Sequence, residues 1–557
     1  MKYVYMFFMA IGLMSCQKDL LNKYPLDSPS SGTFFSNETE LTLAINSAYR
    51  TLYWLSSGNV PYQLYLEGST DLVYVRGNGA NMISVQSGQF SSETAVFYSA
   101  WSSFYESIGR CNNILENMHR AKDNVSDEFY KRIEAEALFL RAYSYTYLVA
   151  LYGDVPFVTK MLSLEEGQMP KTNKDIIIEH LFEDLDYAAS NLPKTWGGKE
   201  EGRITKGAAY GLKARLALWT GRYDIAAKSA KDVIDLNVYS IYPDYGNLFK
   251  HEGENSQEAM LYIPFLLGVS TTTTPREIGP RTGPGYSIIV PTQTLVDMYQ
   301  CTDGKRVDES SVFNPANQFA SRDPRLQQSI LYPGQWYNGY LFETKPSAKT
   351  TLRNVNGVIS SVNNLEVTNA YGTFTGYIWK KYLDEKDMPD NVTRSELNFM
   401  LMRYAEMLLT YAEAKIELGE IDPDVVKAIN DVRRRPSVMM PAAALTMTPG
   451  ELKELVRYER TIELAGEGFR LFDIRRWRIA EHVLPGNVLG KRTAVSWDLP
   501  VIPTFNQYGK PVYDNETLIF QIISTNVFDP SKHYLWPIPQ RELDLNKKLE
   551  QNGDYLK

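Results

Sequence analysis

The sequence predicts a mainly α-helical fold: helix pairs stacked as a small solenoid, with a large loop-rich insert and few short strands. Three observations carry this. Apolar residues recur with helical period over long stretches at both ends of the chain. Two of those stretches repeat one pattern of small residues around a glycine turn. Between them, over about 237–395, the period gives way to turn signals and short alternating segments.

The elements follow in order. Residues 38–55 place Leu41, Ile45, Ala48, Leu52 and Leu55 on one stripe. Residues 94–119 and 127–152 read as two strong helices. The second carries Leu138, Arg141, Ala142, Tyr145 and Leu148 along one side, with Gly153 as its stop. Helices over 174–192 and 205–220 come next. Residues 214–234 read ARLALWTGRYDIAAKSAKDVI. Gly221 permits a tight turn, and Ala226 and Ala230 let a second helix approach the first, a tetratricopeptide-like pattern. Residues 404–432 repeat it, with Ala412, Ala414, Leu418 and Gly419 closing one helix and Ala428 and Ile429 packing the next. With 131–192 and 449–480 as looser copies, about four pairs make a right-handed solenoid. The insert carries Thr271 to Thr274, the run GPRTGPGYS and the turns Pro333-Gly334 and Asn356-Gly357. So much irregular chain in a compact protein is often functional. The tail, 497–557, is irregular and rich in proline and aromatics.

Composition narrows the function classes. The chain has 557 residues, 44% of them apolar and 22% charged, which supports a large core and excludes wholesale disorder. The net charge is −8, and the longest basic cluster is Arg433-Arg434-Arg435 among acidic neighbours, so no nucleic-acid-binding surface is expected. Three cysteines cannot make a disulfide framework. Cys111 and Cys301 either pair or stand as buried thiols. Tyrosine (37), phenylalanine (23) and tryptophan (9) are plentiful, which suits scaffold packing and carbohydrate stacking alike.

The N-terminus reads as an export signal over residues 1–15. Residues 3–14, YVYMFFMAIGLM, are too short for a bilayer span and match a signal h-region. Leu13-Met14-Ser15-Cys16 resembles the bacterial lipobox, in which the cysteine is diacylated and becomes the first residue. Gln17 to Ser31, with Pro25 and Pro29, reads as a leash. The body, 16–557, divides into a helical part (about 33–236), the loop-rich region (237–395) and the C-terminal helix pairs with their tail (396–557).

Five separated blocks carry a family resemblance. They are the lipobox at Cys16; residues 33–53 followed by Trp101, Tyr105, Ile108 and Cys111-Asn112-Asn113-Ile114; EAEALFLRAYSYTYLVALYGDVPFV (134–158); ERTIELAGEGFRLFDIRRW (459–477); and YLWPIPQRELDLNKKLEQNGDY (534–555). Together they make the chain similar to the SusD/RagB family of outer-membrane nutrient-binding lipoproteins from Bacteroidetes-type bacteria. The resemblance implies a helical fold on four tetratricopeptide-like pairs and lipid-anchored exposure on the outer membrane. It implies a partner, a SusC-like TonB-dependent transporter, and a glycan ligand, with peptides as the alternative. It implies no catalysis and no cofactor.

The family blocks themselves read as scaffold. Glu459, Arg460, Glu463, Glu467, Arg470, Asp473, Arg475 and Arg476 alternate in sign at helical spacings and suit internal ion pairs. Trp101, Trp219 and Trp477 suit the core, and Trp536 suits a tail packed on the solenoid. Ligand chemistry belongs on loops held by that scaffold. Sugar recognition needs an aromatic platform and planar polar groups with several directed donors or acceptors. Residues 67–81, EGSTDLVYVRGNGAN, concentrate both kinds in Asp71, Tyr74, Arg76, Asn78 and Asn81. The resemblance to starch-binding relatives assigns ligand contacts to Asp71 and Arg76; the other reading is a loop satisfying its own turns. Trp336 and Tyr337 follow the Pro333-Gly334 turn and form a second candidate, and Tyr286 in GPGYS a third.

Enzyme signatures are missing. His251-Glu252 lacks the second histidine of HExxH, no G-x-S-x-G elbow or phosphate loop occurs, and the five histidines are scattered without ligand spacing. No EF-hand spacing suggests calcium. The expected role is glycan capture without catalysis. A peptide-binding variant and a pure protein-interaction scaffold are the alternatives.

Overall fold

The computed structural model describes residues 34–77, 82–163 and 165–556. The export signal, Cys16, the leash, Asn78 and Asn81 lie outside the described residues.

The body is mainly α. Ten of its helices matter here: α1 (Glu38–Ala48), α2 (Ala95–Asn117), α3 (Asp127–Tyr152), α4 (Lys174–Asn191), α5 (Lys206–Trp219), α6 (Tyr223–Asp235), α7 (Tyr404–Glu417), α8 (Pro423–Arg433), α9 (Pro449–Glu463) and α10 (Arg470–Arg476). Their starts are set by side chains. Asn37, Ser126, Asn173, Thr205, Asp422 and Thr448 each accept a hydrogen bond from a first-turn N–H of the helix that follows. Thr448 and Glu451 complete a reciprocal capping box. α1 is shorter than its apolar stripe suggests. It stops at Ala48 and tightens into a 3-10 turn over Tyr49–Leu52, where the Tyr49 hydroxyl donates to Glu136 at 2.6 Å.

Neighbouring helices pack in sequence: α2 on α3, α3 on α4, α4 on α5, and α5 on α6. α6 then packs against α7, and α7 against α8 and α9. The helical series therefore continues straight across the insert. The α5–α6 turn is made by Gly221 at φ +75°, and Ala226, Ala227 and Ala230 are buried against the neighbouring helices. The tail lies on the end of α3: Trp536 donates its backbone N–H to the Leu151 carbonyl at 2.7 Å, and Asn552 donates to the Tyr152 and Trp536 carbonyls. Cys111 and Cys301 are buried free thiols, and burial pushes Cys111 up to about 12.

Short strands lie between the helices, mostly in the insert: β1 (Val73–Val75), β2 (Ala259–Ile263), β3 (Ile289–Pro291), β4 (Trp336–Tyr337), β5 (Tyr340–Leu341), β6 (Thr350–Val355), β7 (Val358–Asn363), β8 (Phe399–Arg403), β9 (Gly486–Arg492) and β10 (Phe520–Asn526). β1 pairs with β3, β2 with β8 and β9 with β10, while β4 to β7 form a four-stranded meander; all are antiparallel.

Buried ion pairs tie this irregular chain to the helices. β8 delivers Arg403 to Glu258, Glu463 and Glu467, at 2.7–2.8 Å. Arg435 bridges Glu258 and Glu463, Arg325 bridges Asp323, Glu459 and Glu463, and Lys381 pairs with Glu467. All of these groups are buried. A buried ion pair repays its desolvation only with such multiple, well-aligned partners. Burial alone would raise the Glu463 carboxyl, but Arg435, Arg403 and Arg325 together hold it well below the usual range. Burial lowers Lys381 to about 8. The alternating charges of 459–476 are thus internal, with Arg475 the exception: it donates to the His533 carbonyl of the tail.

Candidate functional site

β1 and β3 bring two of the candidate loops together. Val73 opposes Pro291, Tyr74 opposes Val290 and Val75 opposes Ile289. One residue on, the Arg76 N–H donates to the Ile288 carbonyl at 2.7 Å, so the chain leaves β1 alongside the loop that carries Tyr286. The Arg76 guanidinium then donates to the Tyr286 carbonyl at 2.8 Å.

The Tyr286 loop is knitted onto itself. Tyr286, Ser287 and Ile288 donate their backbone N–H groups to the carbonyls of Arg276, Gly279 and Glu277. At Gly285 a Cβ would stand 2.2 Å from the Gly279 carbonyl carbon, so this crossing requires glycine. The outcome is a Tyr286 ring that is 40% exposed, with the Arg276 and Arg281 guanidiniums at 5.1 and 4.9 Å from its centre.

A third segment completes the cluster. Tyr371, 55% exposed, lies 5.0 Å from the Arg76 guanidinium, and Phe374 lies at 5.8 Å. Phe374 stacks in turn on Tyr74, 6.0 Å between centres. The Tyr286 and Tyr371 loops are clamped by Glu366. Its buried carboxylate accepts from the Thr282 N–H at 2.8 Å and the Thr373 N–H at 3.0 Å, and burial pushes its pKa up. Burial, then the neighbouring Arg281 charge, lowers Arg76. A cavity of about 410 Å³ lies beside the cluster, walled by Tyr74, Phe374, Asn369 and Lys491.

The sequence candidates therefore separate. Arg76 and Tyr286 touch. Asp71 and Tyr74 turn inward: the Asp71 carboxylate takes a two-bond fork from Arg470 at 2.9 and 2.8 Å with its side chain 3% exposed, and Tyr74 is buried. Trp336 and Tyr337 occupy β4, away from β1 and β3 in the topology. Strand alternation puts Trp336 outward at 46% exposure and Tyr337 inward, where burial raises its hydroxyl well above the ordinary value. Sequence reasoning missed Tyr371, Arg276 and Arg281. Arg281 lies within the singled-out run GPRTGPGYS; nothing local marks Tyr371, because its role comes from a clamp 5 residues upstream and a loop far away in sequence.

Chemically, the cluster offers two partly exposed tyrosine rings with three guanidiniums over them. Among the described residues, Arg276 alone of the three pairs with a carboxylate, that of Glu277 at 3.2 Å. Rings suit the C–H faces of a sugar, and guanidinium donors suit its hydroxyl pairs. Among the described residues no group of three or more histidines, cysteines or carboxylates could hold a metal, and no helix is long and apolar enough to cross a membrane.

Residues 249–555 match the sequence model of the SusD family, and residues 26–218 match that described as starch-binding associating with outer membrane. The chain is 24% identical over 551 residues to SusD-like protein P2 of Formosa agariphila, covering 96% of this chain and 95% of that one. A SusD-like carbohydrate-binding protein from Bacteroides fragilis superposes with a TM-score of 0.80 at 28% identity, covering 93% of this chain and all of that one. A laminarin-binding SusD-like protein shares the fold, with a TM-score of 0.68 at 20% identity over 93% of this chain.

Proposed function

The chain belongs to the SusD family, and from that premise we propose that it captures an oligosaccharide at the Arg76–Tyr286–Tyr371 cluster and delivers it to a SusC-like TonB-dependent transporter. The family's proteins are non-catalytic glycan binders of the outer membrane, and this chain is not an enzyme. The observation that carries the site is the convergence of two partly exposed tyrosine rings with Arg76, Arg276 and Arg281. In this reading Asp71 and Tyr74 hold the loop from behind, and Trp336 is an outlying platform for a longer chain. Asn78 follows Arg76 by two residues in the sequence. Cys16 carries the lipid anchor, and the helix pairs are tetratricopeptide-like repeats that present the insert.

Affinity electrophoresis of the chain from residue 18 onward, against plant, fungal and host polysaccharides, tests this. Retardation by one polymer, lost in Tyr286→Ala, is the expected result. No retardation by any polymer would turn the reading to peptides or to a protein-interaction scaffold.

A further inference from the structure

A second cavity, of about 340 Å³, lies between the turn at 315–319, the Pro333-Gly334 hairpin turn and the loop at 497–499. None of Arg76, Tyr286 and Tyr371 lines it. Lys491 lines this cavity and also the one beside the cluster, so the two share a wall. Its volume is at the lower end of the ~300–1,000 Å³ usual for small-molecule sites.

The lining is built and rigid. Phe319 stacks on Tyr332 at 4.0 Å and meets Tyr377 edge-on. Tyr377 is fixed by donating its hydroxyl to Gln293 at 2.7 Å. The 497–499 loop is held by Arg492, which donates to the carbonyls of Trp497 and Leu499, and by the Lys345–Asp498 pair at 2.9 Å.

Three polar groups on this lining keep their hydrogen-bonding capacity. The side-chain amides of Asn317 and Gln318 and the indole N–H of Trp497 have no hydrogen-bond partner among the described residues. Aromatic rings and unspent planar amides in one cavity suit the C–H face and the hydroxyl pairs of a sugar ring. The lining carries both signs, Lys491 and Arg492 beside Glu343 and an Asp498 already paired with Lys345, so it does not present one concentrated charge.

We propose that this cavity is a second saccharide subsite, taking a neutral mono- or disaccharide unit between Phe319, Tyr377 and Trp497. The inference rests on the glycan-binding reading above. Crystals of the chain from residue 18 onward, soaked separately with maltose, cellobiose, laminaribiose, mannobiose and xylobiose, test the two together. Density for one of these in the cavity, with the Trp497→Ala, Gln318→Ala variant binding that sugar about tenfold more weakly by calorimetry, is the expected result. Sugar at the Arg76 cluster with this cavity empty for all five would overturn the second subsite and leave the first standing. Sugar at neither place would overturn both. Density in the cavity with unchanged affinity in the double variant would mark binding at crystal concentration only, and would also overturn the proposal.

Discussion

The arginines at the centre of the molecule and those around Tyr286 use one side chain in opposite ways. Arg325, Arg403 and Arg435 are buried and spend their donors on two or three carboxylates each. Arg76, Arg276 and Arg281 face aromatic rings near the surface; Arg276 gives two donors to Glu277, whereas Arg76 and Arg281 give one guanidinium donor each, to the backbone carbonyls of Tyr286 and Gly285. The first arrangement fixes chain segments that have little regular structure of their own. The second leaves donors free for a ligand. The difference is set by surroundings, because a guanidinium taken out of water must find anions, whereas one on a ring's face keeps part of its hydration.

The sharpest way to break this contrast is Arg403→Met. It takes one cation each from Glu258, Glu463 and Glu467, which keep only Arg435, Arg325 and Lys381, and should cost about 3–5 kcal/mol of stability. Calorimetric melting checks it, and an unchanged melting temperature would show that the buried pairs are not what holds the insert. Glu366→Gln comes next. It puts an amide N–H₂ against the N–H groups of Thr282 or Thr373, at a cost of about 1–3 kcal/mol. If Glu366 positions the two tyrosine loops, its effect on glycan affinity should shrink when Tyr286 and Tyr371 are already alanine; simple additivity in that cycle would reduce it to a packing residue.

Arg76→Ala should weaken glycan binding about tenfold, or ~1.4 kcal/mol, with little change in melting. A variant that melted early but bound normally once folded would place Arg76 with the buried set. The smallest effect concerns His251, whose ring meets Asp387 at 3.2 Å and Glu254 at 3.4 Å; these hydrogen bonds raise its pKa to about 10. The folded value exceeds the unfolded one of about 6.5, so the protonated ring contributes fully below that pH and loses its contribution as the pH rises through 10. His251→Gln should therefore destabilise by about 1 kcal/mol near pH 6, discounted for a half-buried ring, and by nothing above about pH 10.5. A melting difference that grew with pH would contradict the assignment.

Much of the helical body was legible in the sequence. The repeat around Gly221 places α5 and α6 within a residue or two, and the apolar stripe of 38–55 identifies α1 although it misses the 3-10 ending. Sign alternation in 459–476 marks internal charges, but of its helical spacings only Arg476–Asp473 forms a pair; Glu459, Glu463, Glu467 and Arg470 find partners far away in the chain, which no local pattern shows. The site was legible only in parts. Arg76 and Tyr286 stood out as residue types in short loops, but their separation of 210 in sequence hides the contact.

The sequence by itself determined which segments are helices, which residues form their buried faces, and that the middle of the chain is irregular. Periodicity, caps and glycine turns act over a few residues, so they can be read from a single chain. Tertiary structure decided which loop side chains meet. β1 pairs with β3 across more than 200 residues, Glu366 clamps two loops, and Asp71 is taken by Arg470 from a helix near the far end of the chain. Those choices depend on which carboxylates and rings happen to be close when the helices stack, and no local pattern encodes that proximity.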